Sequence, residues 1–176
     1  MDISDSSGTI IAKIDGVITP TADNPDLKDV LFTWDTAGLN GTYQLLFYFW
    51  ASPPVTVGPI SVVVDNTPPL AQFSAPASGS TVSTMPLIWA DYSDASGIKR
   101  VTFELEEPSG KVTKLEYSPN DEPISGKNEV PDGDRATLTV EPTRAIYKAV
   151  KPLDNGVYAA KVTVEDLAGN ETTAVV

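Results

Sequence analysis

Cysteine and histidine are both missing from the 176 residues. Without thiols no disulfide staples the fold, and without imidazole the chain lacks the commonest general base and the commonest transition-metal ligand. Basic residues are scarce, 12 Lys and Arg against 24 Asp and Glu, and the resulting formal charge of −12 repels phosphate backbones and anionic membrane surfaces. Nucleic acid is therefore excluded as an expected partner. No apolar run approaches the roughly 20 residues of a helical membrane span, and Met1-Asp2-Ile3-Ser4-Asp5 lacks the basic and then apolar order of a signal peptide. Either the chain is cytoplasmic or it is an excerpt from a longer exported protein. A sustained apolar period of 3.6 residues is also missing, which removes helices as the main element.

What is present favours strands. A 41% hydrophobic content supplies a core, and 15 prolines and 12 glycines among many Val, Thr and Ile residues read as short strands cut by turns, so an all-β fold is expected. The chain is organised around Asp65-Asn66-Thr67-Pro68-Pro69, where two prolines forbid a continuous ladder and mark a stiff linker. On either side lie two copies of one unit. Asp2-Ile3-Ser4-Asp5-Ser6-Ser7-Gly8 matches Asp91-Tyr92-Ser93-Asp94-Ala95-Ser96-Gly97, and Leu39-Asn40-Gly41-Thr42-Tyr43 matches Asp154-Asn155-Gly156-Val157-Tyr158. Two matches in one order make an internal repeat. Their unequal spacing puts an insertion in the second copy, expected as a long surface loop at 118–134. The domains are thus 1–66 and 67–176.

In the second copy seven strands are expected, near 71–75, 87–90, 99–106, 111–117, 136–141, 157–165 and 171–176, with Tyr158, Ala160, Val162 and Val164 on a core face. Ile146 and Val150 at helical spacing predict a single helical turn within 143–151. Trp34 and Trp89 are assigned to the cores. In the first copy strands are expected at 10–14, 17–19, 30–34, 43–50 and 60–64, which leaves nothing for the first two strands of a sandwich. Three accounts are open: a fragment of a tandem array, strands supplied by another copy of the chain through strand addition, or a misplaced boundary.

Four short motifs carry a resemblance: the linker Asp65 to Pro69, Asp94-Ala95-Ser96-Gly97-Ile98, Asn155-Gly156-Val157-Tyr158, and Asp166-Leu167-Ala168-Gly169-Asn170. In this order they resemble the tandem immunoglobulin-like or fibronectin-III-like modules of exported bacterial and archaeal surface proteins, such as adhesins, S-layer proteins and extensions of secreted proteases. The first copy departs from the pattern at Ala51-Ser52-Pro53-Pro54. The resemblance implies two immunoglobulin-like sandwiches, the first lacking its opening strands, in an extracellular or cell-surface protein. It implies a non-catalytic spacer or assembly module whose partners are neighbouring modules of the same protein.

Such a sandwich gathers Asp65, Asn66, Asp91, Asp94, Asp166 and Asn170 at one end of the second copy. Carboxylates and amide oxygens without His or Cys suit calcium, which would stiffen the junction between domains. The competing reading is that each residue caps its own turn. Tyr48 and Trp50 share one strand face and form a candidate aromatic platform, giving an alternative function as a carbohydrate- or protein-binding accessory module of a secreted enzyme or adhesin; core filling competes with it. Glu104, Glu106, Glu107 and Glu116 are read as a solvated strand surface rather than a hydrolytic pair.

Overall fold

The computed structural model describes residues 1–15, 33–50, 52–119 and 122–176. The strand expected at 17–19, most of that at 30–34, and the acidic run Asp23, Asp26 and Asp29 lie outside the described residues. Among the described residues every regular element is a strand, and all strand pairings are antiparallel. The chain divides into two compact units, Met1–Asn66 and Thr67–Val176.

The first unit shows one sheet of β1 (Asp2–Ser4), β2 (Ile10–Lys13), β3 (Gly41–Phe49) and β4 (Val55–Val64), in the order β2-β1-β3-β4. Ile3 lies opposite Leu45, and Leu45 opposite Ile60, so one face of the sheet is apolar from strand to strand. Ile3 and Tyr43 are buried on it, with the Trp34 ring edge-on to Tyr43 at 5.2 Å. Cover thins toward β4, where Ile60 is 45% exposed. Asp2–Ser4, which lies before the first of the expected strands, is itself a strand.

The second unit is a two-layer sandwich. Its strands are β5 (Leu70–Ala75), β6 (Leu87–Ser93), β7 (Ile98–Glu106), β8 (Val112–Tyr117), β9 (Asn128–Asp132), β10 (Ala136–Glu141), β11 (Arg144–Ala149), β12 (Ala159–Asp166) and β13 (Glu171–Val175). One layer runs β5-β6-β11-β10-β9 and the other β13-β12-β7-β8. Strict alternation sends Leu138 and Val140 of β10, Ala145 and Tyr147 of β11, and Ala160, Val162 and Val164 of β12 inward, as a half-buried strand requires. Phe103 of one layer stacks on Tyr147 of the other at 5.0 Å and 8°, and Phe73 meets Phe103 edge-on. Burying each such ring fully contributes about 1.5–3 kcal/mol.

Three expectations fail here for physical reasons. The helical turn within 143–151 is strand β11, because Ala145, Tyr147 and Ala149 bury at a period of two and that burial outweighs the spacing of Ile146 and Val150. The 118–134 insertion is not only loop: it carries β9, and Ile124 is buried in the core with its N–H donating to the Ile98 carbonyl at 2.7 Å. Trp89 faces outward from β6, half-buried under the Arg144 guanidinium, which lies 5.9 Å from the ring centroid; the inward places on that strand belong to Ile88, Ala90 and Tyr92.

The two copies of Asp-x-Ser-Asp-x-Ser-Gly also differ in place. In the first unit the turn after Asp5 closes the β1–β2 hairpin within one sheet, whereas in the second the turn after Asp94 carries the chain from β6 in one layer to β7 in the other. What they share is local chemistry. Asp5 Oδ1 accepts the Ser7 N–H at 2.9 Å and its hydroxyl at 2.6 Å. Asp94 Oδ1 accepts the Ser96 N–H at 2.7 Å and its hydroxyl at 2.6 Å. Each is an Asx-type turn that folds on its own account.

Candidate functional site

In the second unit two turns meet at one end of the sandwich, the one between β6 and β7 and the one between β12 and β13. The Leu167 N–H donates to the Gly97 carbonyl at 3.2 Å and so ties them together. Asp166, the last residue of β12, is wholly buried. Its Oδ1 accepts the Asn170 N–H at 2.9 Å and its Oδ2 the Asn170 side-chain amide at 2.8 Å. The same amide reaches the Thr67 carbonyl at 3.5 Å. Carboxylate oxygens of Asp94 and Asp166 come within 4.8 Å of one another.

Two carboxylates at that separation repel unless a cation or a shared proton intervenes, and a buried charge is costly without compensation. Hydrogen bonds from Asn170 and Ser96 supply part of it. Oxygen donors of this kind match calcium, which takes 6 to 8 oxygens at about 2.3–2.6 Å. Within the second unit the structure thus brings together Asp94, Asp166 and Asn170 of the residues the sequence singled out.

Asp91, Asn66, Tyr48 and Trp50 have different surroundings. Asp91 lies in β6, where Arg144 Nε donates to it at 2.5 Å and the Ser74 hydroxyl donates as well; these bonds, Arg144 first, hold its carboxyl below the usual carboxylate range. Asn66 closes the first unit, its amide donating to the carbonyls of Thr36 at 2.8 Å and Leu39 at 2.7 Å while its N–H donates to Asn40 Oδ1 at 2.6 Å. Asp65 follows β4 directly. Tyr48 is 46% and Trp50 95% exposed, at the end of β3. Glu165, beside the buried Asp166, turns outward to the Arg100 guanidinium. Sequence reasoning missed Ser96 and Arg144; the repeated Asp-x-Ser signalled the first, but nothing local signalled the second, which arrives from β11.

No protein-family model matches the chain, and no curated protein matches it. Among solved structures the chain is similar to one described as a tetra-tandem repeat in the extending region of a large adhesion protein, with a TM-score of 0.43 and 16% identity. That match covers 99% of this chain and 40% of the other, so the chain spans less than half of that protein's length.

Proposed function

We propose that this chain is a non-catalytic structural extender of an extracellular or cell-surface protein, made to hold neighbouring modules apart. The observation that carries the reading is how each unit ties down its own end of the Asp65–Pro69 stretch. Asn66 makes three hydrogen bonds within the first unit. In the second, Pro69 is fully buried and the Thr67 carbonyl accepts from Asn170. A linker so fastened at both ends suits a spacer better than a free hinge. Calcium held by Asp94 and Asp166, with Asn170 in support, completes the proposal by stiffening the pole where the chain enters the second unit.

The test uses the full chain labelled with fluorophores at its two ends, in EDTA and in millimolar calcium. A narrow end-to-end distance distribution is expected, together with a higher unfolding midpoint in calcium. An ion at about 100 times its dissociation constant adds about 2.7 kcal/mol. Asp94→Ala and Asp166→Ala are expected to remove the calcium effect, and a broad distribution in both buffers would sink the spacer reading.

A second reading is favoured by one feature, the exposed ring of Trp50 beside exposed Tyr48. Aromatic faces open to water on one edge suit a neutral sugar or a protein partner, which would make the first unit a binding module.

A further inference from the structure

The dipeptide Asn-Gly occurs twice, at Asn40-Gly41 and Asn155-Gly156, and the two sites are held in opposite ways. Asn40 is pinned: its side-chain oxygen accepts the Asn66 N–H at 2.6 Å, and Gly41 opens strand β3. Asn155 is exposed on a bend, and its side chain takes part in no hydrogen bond. The Gly156 N–H likewise has no acceptor.

Glycine at 156 is imposed by packing. Its φ is +156°, and a Cβ there would sit 2.2 Å from Pro108 Cγ, closer than any side chain tolerates. The same lack of a Cβ leaves the backbone nitrogen open to attack the preceding side chain. We infer that Asn155 is a site of spontaneous covalent modification, cyclising onto Gly156 and opening to aspartate or isoaspartate.

In the first step the Gly156 nitrogen loses its proton to solvent and bonds to Asn155 Cγ. The Cγ–Nδ2 bond breaks, and the amide leaves as ammonia with a proton from water. Water then adds to the cyclic imide. Opening at Cγ gives aspartate, and opening at the main-chain carbonyl gives isoaspartate, with one extra backbone carbon between Asp154 and Tyr158. That segment is spanned by the bond from the Tyr158 hydroxyl to the Asp154 carbonyl at 3.0 Å, so the isoaspartyl product loosens the turn that opens β12.

The test incubates the full chain in warm, mildly alkaline buffer and follows both sites by peptide mapping and mass spectrometry, with isoaspartate identified by enzymatic methylation. Conversion at Asn155 several-fold faster than at Asn40 is expected, and Asn155→Gln, which cannot close the five-membered ring, should lose the fast conversion while keeping the fold. Equal rates, faster conversion at Asn40, or no conversion at Asn155 would overturn the assignment.

Discussion

At the scale of single residues, burial decides which groups respond to pH. Tyr147 lies in the core of the sandwich, and burial pushes its hydroxyl up to about 12 from an ordinary value of about 10. Burial raises Tyr92 as well. A raised folded value means that the unfolded chain releases the proton first, so stability from these groups is full below about pH 10 and falls as the pH rises through about 12. Circular dichroism across this alkaline range should show progressive unfolding of the second unit, and Tyr147→Phe should make the loss shallower; an unchanged profile would remove Tyr147 from the account. The ring was legible in the sequence as a residue, but its place was not. Read at helical spacing with Ile146 and Val150, the segment hid the inward alternation of Ala145, Tyr147 and Ala149.

At the scale of elements, the sequence was most readable where a turn's chemistry is self-contained. Asn40-Gly41-x-Tyr43 and Asn155-Gly156-x-Tyr158 each open the strand that their tyrosine fastens: Tyr43 donates to the Asn40 carbonyl at 3.2 Å and Tyr158 to the Asp154 carbonyl at 3.0 Å. The two corners are alike but not identical, the acceptor lying three residues before Tyr43 and four before Tyr158, and β3 and β12 each pair with the strand that follows them. Tyr43→Phe and Tyr158→Phe should each cost about 1 kcal/mol, read as a lower urea midpoint with unchanged slope. The Asp-x-Ser turns were as readable but misled at larger range, because an Asx turn fixes four or five residues and leaves open which sheet the chain enters next. The candidate cation site divides the same way. Asp94, Asp166 and Asn170 come together through turns visible in the sequence, whereas Asp91 is claimed by Arg144, a partner 53 residues away.

At the scale of the whole molecule, the described residues of the two units differ in how much they bury. Among the described residues the continuous core cluster lies in the second unit, and Ile3 and Tyr43 are the buried hydrophobics of the first. Two calorimetric transitions are therefore expected, with the first unit melting lower, and residues 67–176 expressed alone should reproduce the upper one; a single transition that disappears on dividing the chain would refute this. The route of the chain through the second unit has a further consequence. It enters β5 at Leu70, paired with Ser93 beside the turn that carries Asp94, and leaves along β13, which starts beside Asp166 and ends at Val175 opposite Lys161. Entry and exit thus lie at opposite ends of the strands. Tension applied through the ends of the unit loads the rungs between β5 and β6, and between β12 and β13, in shear, so they resist together instead of unzipping one at a time.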